Sequence, residues 1–324
     1  MRDAHFYNRS YFADKNGKNK NGMKEVSFKK ITWLDFENPS ADDILYLQEN
    51  FDIHPLAIEE FVTPTMRPKA TEYHNCLFLT VHIPLFDVVT RTTYPGELDI
   101  VLTKDHLITG HSKEIYQLTE FFNKLEGSEG KRRLHMGKDP AHLMYRILEI
   151  LFESCFPKVD HITEKLNAIE EEIFKGNEKE MVMEISVVKR DILNFRRTLK
   201  PQRSIIESVM QKNCYLIPKE LMPYFQDLLG TNTRLWNVLE NSKEIVESLE
   251  ETNNSLLSNK LNLTMKLLTI FSAVLLPLTV YSNILAMSAS IPFGNNPYGF
   301  WIHMSIMFFI GLLTITIFKT KKWL

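Results

Sequence analysis

Between Leu267 and Phe318 this 324-residue sequence contains no Asp, Glu, Lys or Arg. That void excludes an ordinary solvated surface there, and it leaves room for two membrane crossings of about twenty residues each with a short connection. Cysteine is scarce: Cys76, Cys155 and Cys214 stand far apart and form no C-x-x-C pair. A disulfide framework is thereby excluded, and buried thiols in a reducing compartment are expected. No G-x-x-x-x-G-K-[ST] loop occurs, so no P-loop nucleotide site is expected. Neither G-x-S-x-G nor H-E-x-x-H occurs, and the chain does not read as an enzyme. Lys and Arg number 38 against 40 Asp and Glu, with no basic stretch interleaved with aromatics, so no nucleic-acid partner is expected. The opening MRDAHFYNRSYFADKNGKNKNG lacks the apolar core of a signal peptide and reads as a disordered cytosolic tail over residues 1–24.

What fills the charge-free window is a helical hairpin. The first crossing is expected over 263–285 and the second over 300–318. Pro292, Gly294, Asn295, Asn296, Pro297 and Gly299 supply the turn in the loop 286–299. Lys260 and Lys266 flank the first crossing, and Lys319, Lys321 and Lys322 follow the second, whereas the loop carries no basic residue. By the positive-inside rule both termini are cytoplasmic.

Ahead of the hairpin, residues 25–217 change character midway. KKITWLDF, NCLFLTVHIPLF, ELDIVLT and HLITGH read as strands, with short helices from Ser40 to Asn50 and from His54 to Val62. From about Pro140 on, the pattern is helical only: Met144–Phe174, then Met181–Leu199, then Gln202–Cys214. Leu228, Leu235, Leu249, Leu256 and Leu263 recur in sevens, with Ser242 interrupting. That seam predicts one very long helix over 218–262, partnered along its length and running on into the first crossing. Packing within its own subunit would give the same periodicity.

The first crossing is too polar for a simple lipid anchor. Asn262, Met265, Leu268, Ser272, Leu276, Thr279 and Asn283 recur every three or four residues and share one stripe. Such a stripe faces a water-filled cavity or makes interhelical hydrogen bonds. Two helices per chain cannot enclose a lumen, so a lumen requires several subunits around an axis. His82, His106, His111, His135, His142 and His161 show no metal-ligand spacing. His303, inside the second crossing, is open to a ligand or proton-relay role or to a structural one.

Four segments resemble the CorA magnesium transporters. They are HPLAIEEFVTPTMRPKATEY, PYFQDL, SNKLNLTMKLLTIFSAVLLPLT (Ser258 to Thr279) and the terminal KTKKWL. The resemblance implies an α+β membrane protein that assembles as a homopentameric funnel in the inner membrane, with lipid, divalent cations and its own copies as partners. It implies a cytoplasmic αβα domain, a stalk helix continuing into a pore-lining first transmembrane helix, and a second helix outside the pore. The cargo implied is Mg2+, with Co2+ as a further candidate, moving down its electrochemical gradient, and no resident cofactor. Leu268 and Leu276, with Met265, match the family's apolar constrictions, and Lys319, Lys321 and Lys322 would ring the cytoplasmic mouth. Cytosolic magnesium would be sensed between subunits, for which Asp227 and Asp87 are the candidates. One departure is plain: the family's Gly-Met-Asn at the pore mouth is Ala286-Met287-Ser288 here. Ser288 hydroxyls, or an amide ring from the deeper Asn283, would then replace the missing Asn; a zinc transporter of the ZntB type and a non-conducting regulatory subunit are the alternatives.

Overall fold

The computed structural model describes residues 23–63, 65, 67–111, 115–211, 214–287, 293 and 297–321. Six strands form one sheet: β1 (Met23–Phe28), β2 (Ile31–Glu37), β3 (Lys69–Glu72), β4 (Leu77–Asp87), β5 (Thr92–Leu102) and β6 (His106–His111). Their order is β1-β2-β6-β5-β4-β3, with β2 and β6 parallel and the other neighbours antiparallel. Met23 and Lys24, read from sequence as the end of a tail, already belong to β1.

The period-two alternation of β2 sorts its side chains to two layers. Leu34 and Phe36 enter a cluster with Leu47 of α1 (Ala41–Asn50) and Ala57, Ile58 and Phe61 of α2 (Pro55–Val62). Trp33 packs on the other face against Phe121 and Phe122 of α3 (Tyr116–Glu126), at centroid distances of 5.9 and 4.8 Å. Its Nε1–H donates to Thr109 Oγ1 at 2.9 Å, and Thr109 Oγ1–H donates to the buried Asp35 carboxylate at 2.5 Å. Helices thus cover both sheet faces, which is why the central strands read as nearly continuous apolar runs. A Cβ on Gly110 would lie 2.5 Å from the Phe61 ring, so α2 can approach β6 only over a glycine.

The helical part follows as α4 (Glu129–His135), α5 (Pro140–Glu153), α6 (Phe156–Phe174), α7 (Glu178–Leu199), α8 (Gln202–Gln211), α9 (Met222–Met287) and α10 (Gly299–Thr320). The amphipathic stretch expected from Met144 to Phe174 is therefore two helices. Pro157 cannot donate to the Glu153 carbonyl, so it ends one helix and sits comfortably in the first turn of the next. Gly176, at φ 97°, follows the end of α6 in the left-handed conformation that favours glycine.

The leucine seam of α9 resolves into two parts. Leu228, Leu235, Ser242 and Leu249 are buried within the chain itself, whereas Leu263 is 52% exposed. Partners for the first part come from the same chain. Tyr145 of α5 meets Phe225, the Asn232 amide donates to the Leu199 carbonyl at 3.4 Å, and Arg196 pairs with Glu240 at 2.5 Å. The chain divides into two compact units: the sheet with its helices up to Leu249, and a second holding Asn177–Lys179 and everything from Glu250 on.

Candidate functional site

The second unit carries the polar stripe. Both α9 and α10 contain a window apolar and long enough to cross a membrane, and neither window is buried in the chain. Asn262, Met265, Leu268, Ser272, Leu276, Thr279 and Asn283 are all exposed. At about 100° per residue they fall within an arc of about 120°. Lys266, Ile270, Ala273, Val274, Leu278, Tyr281 and Leu285 are half-buried and centre on the opposite side of the helix. Tyr281 identifies what covers them: its hydroxyl lies 2.8 Å from His303 Nδ1 on α10. His303, Met307, Ile310, Gly311, Thr314 and Phe318 are half-buried in turn and share one face of α10. The stripe therefore lies on the part of α9 that α10 leaves open, which also holds Phe271 and Leu275.

Asn262 to Asn283 spans about 31 Å at 1.5 Å per residue, close to the thickness of a hydrocarbon core. Amide and hydroxyl oxygens recur along it without a carboxylate. The Thr279 hydroxyl donates to the Leu275 and Leu276 carbonyls at 2.6 and 3.1 Å, which turns its oxygen outward as an acceptor. Pro277, inside the helix, leaves the Ala273 carbonyl without its usual donor one turn back. Such a surface offers acceptors to the water around a cation but no fixed charge to trap the ion.

Ala286 and Met287 end α9 exposed, while Ser288 lies outside the described residues. Lys319 and Lys321 are exposed at the end of α10, and Lys322 lies outside the described residues. Asp227 is exposed on α9, beside the buried Phe225 and Leu228. Asp87 closes β4, and its carboxylate accepts from the Thr90 hydroxyl and the Val89 amide, both at 2.8 Å. These hydrogen bonds, the Thr90 one foremost, hold its carboxyl below the usual range. Next to it, Arg91 adopts φ 55° and forks onto Glu184 of α7 at 2.9 and 2.6 Å. Asp87 thus serves its own hairpin. Among the described residues no three His, Cys, Asp or Glu side chains are grouped to hold a metal within one chain.

Sequence reasoning singled out His303 but not its partner Tyr281. The signal was available, since Tyr281 continues the three- and four-residue spacing of Val274, Leu278 and Leu285. It was masked because an aromatic in a transmembrane helix reads equally well as lipid-facing.

Known proteins resemble this chain in sequence and in fold. The chain is 27% identical over 296 residues to the cobalt/magnesium transport protein CorA of Thermotoga maritima, covering 90% of this chain and 83% of that one. The cobalt/magnesium transport protein CorA of Methanocaldococcus jannaschii is 23% identical over 305 residues, 93% of this chain and 95% of that one. The complete structure of the CorA magnesium transporter from M. jannaschii superposes with a TM-score of 0.78, at 22% identity over 93% of this chain and 94% of that chain, which shows the shared fold. The profile described as "CorA-like Mg2+ transporter protein" matches residues 28–321, and the chain accordingly belongs to that family of transporters rather than to any class of enzyme.

Proposed function

We propose that the chain is one subunit of a homopentameric channel that admits divalent cations, Mg2+ foremost, down their electrochemical gradient. The observation that carries this reading is the open face of α9: charge-free, about 31 Å long and left uncovered by α10. One copy cannot surround a path, so the face calls for copies of itself around an axis. Both termini lie in the cytoplasm in this reading, which the lysines around the hairpin support through the positive-inside rule.

Mg2+ sheds water reluctantly. A path of neutral oxygens from Asn262, Ser272, Thr279 and Asn283 lets the ion keep most of its hydration shell. No energy source beyond the membrane is needed: a divalent ion crossing 100 mV gains about 4.6 kcal/mol, at ~2.3 per charge. Met265, Leu268 and Leu276 form apolar rings that stop ions by dewetting when the copies close up. Lys319 and Lys321, joined by Lys322, place positive charge at the cytoplasmic mouth.

Ala286-Met287-Ser288 leaves the outer mouth without the family's amide, and Asn283 is the nearest replacement on the same face. Asn283→Ala is expected to lower Mg2+ flux at least about tenfold, the scale of one lost ring of hydrogen-bonding groups at about 1.4 kcal/mol. Unchanged flux and selectivity would move that role to Ser288. For regulation we assign Asp227 as the acidic group that meets a neighbouring subunit through a cytosolic divalent cation, with Asp87 a weaker second because its carboxylate is already engaged. Two carboxylates 4 Å apart repel by about 4 kcal/mol at an effective dielectric near 20, and a bound divalent ion removes that repulsion. Asp227→Lys is expected to make protease resistance independent of Mg2+; full Mg2+-dependent protection in the variant would remove Asp227 from the sensor.

The test of the whole reading is uptake into liposomes at fixed potential, with dyes for Mg2+, Co2+ and Zn2+. Potential-driven Mg2+ uptake supports it. Uptake of Zn2+ alone favours the zinc alternative, and no uptake of any ion makes the chain a non-conducting member of the family.

A further inference from the structure

The turn between α6 and α7 is built into the same compact unit as the ion-path part of α9. Glu178 opens α7, and its side chain is only 6% exposed. Its carboxylate is ion-paired with the Lys260 ammonium, which holds it below the usual carboxylate range. Its main-chain carbonyl accepts from Asn253 Nδ2 at 3.0 Å. Asn253 is 1% exposed, and its Oδ1 has no hydrogen-bond partner among the described residues. Lys260 lies one residue before Leu261 and two before Asn262, the first member of the open face, and its carbonyl also takes the Thr264 hydroxyl at 3.0 Å.

The Glu178 carboxylate is covered while Lys260 keeps about half of its side chain in solvent, so the pair adds little stability and chiefly decides which residues meet. The first turn of α7 favours an acid, and the Glu178 main chain helps to hold its carboxylate ionised, so what sets this acid apart is its partner on α9. The best-attested use of such a group is to fix register between two elements. Glu178 grips α9 at two points seven residues apart, Asn253 and Lys260, that is, two turns of one helix face. Rotation or sliding of α9 relative to the turn breaks both contacts together.

We propose that Glu178, with Asn253 and Lys260, forms a positioning joint that transmits movement of α7 to the start of the ion path, so that divalent cation bound elsewhere alters conduction through this contact. The inference rests on the reading of α9 as a regulated path. It is tested on the full chain in liposomes by the ratio of Mg2+ flux with a Mg2+-free lumen to that with a Mg2+-loaded one, the cytoplasmic side facing the lumen. Glu178→Gln and Lys260→Met should each reduce that ratio at least about fivefold, the lower end of usual coupling strengths. The charge exchange Glu178→Lys with Lys260→Glu should restore it to within about twofold, which a merely stabilising pair has no reason to do once each variant is matched for thermal midpoint. An unchanged ratio in folded Glu178→Gln or Lys260→Met, or an exchange variant as defective as the single ones, overturns the joint. Mg2+-dependent protease protection is read on the same samples. If the wild type passes no ion but its protection responds to Mg2+ and that response is lost in Glu178→Gln, the channel reading fails and the contact stands only as a link between α7 and α9, not as a control on conduction. If neither flux ratio nor protection distinguishes the variants, the joint fails whatever the wild type conducts.

Discussion

Lysine in place of Ser272 is expected to cut divalent-cation flux by about a thousandfold. Ser272 lies midway along the open face of α9, away from the half-buried residues that meet α10. A unit charge about 8 Å from a divalent ion repels it by about 1 kcal/mol even at the dielectric constant of water. In the proposed pentamer a ring of five adds ~5 kcal/mol to the barrier, and each ~1.4 kcal/mol is a factor of ten. Ser272→Ala is the matched neutral change and should keep flux within about threefold, because one hydroxyl among several acceptors is lost without added charge. The comparison is read by dye-reported Mg2+ uptake at constant potential. Equal flux in the lysine variant and the wild type would take Ser272 off the ion path.

Serine in place of Leu276 should act in the opposite direction. Leu276 is 62% exposed in the single chain and shares its face with Thr279. A ring of such side chains in a narrow path repels water, and ions do not cross a dry segment. A hydroxyl ring of smaller volume admits water, so leak flux with Mg2+ present on the cytoplasmic side should rise at least about tenfold. The thermal midpoint should hardly move, because the leucine side chain removed makes few contacts within its own subunit. Unchanged leak would leave Leu268 or Met265 as the constriction.

Much of this arrangement was legible in the sequence, for identifiable reasons. The charge-free window located α9 and α10 because membrane solvation is the strongest compositional constraint on a chain. Ser40 was readable as a helix start, and the structure shows its hydroxyl accepting from the Asp43 amide while the Asp43 carboxylate accepts from the Ser40 amide. The stripe was readable because helix period alone decides which residues share a side. Short elements were harder. Strand β3, KATE, has no buried residue and pairs only with β4, so it carries no apolar alternation to notice. The break between α5 and α6 went unread because apolar periodicity continues across Ser154 and Cys155, and only Pro157 marks it.

Tertiary partners were the least legible. The seam from Leu228 to Leu249 was open to a partner subunit or to the chain's own helices, and the chain buries it against its own. Sequence periodicity says that a face is covered and not by what. Glu178 shows the same limit from the polar side. Amid Glu170, Glu171, Glu172 and Glu180 it looks like one more solvated charge, and only folding places it against Lys260 and Asn253.

One side of α9 either faces water or does not, and thiol accessibility reads it directly. Cys76, Cys155 and Cys214 are all buried, and burial pushes the Cys155 thiol up to about 12, so the native background is quiet toward thiolate-selective reagents. Single cysteines would be placed along α9 in the full chain in liposomes and exposed to a membrane-impermeant thiol reagent. The expected result is labelling at Met265, Ser272, Thr279 and Asn283, slowed by Mg2+, with none at Ile270, Val274 or Leu278. Labelling confined to the latter three, or absent from the first four, would contradict a water-filled path along this face.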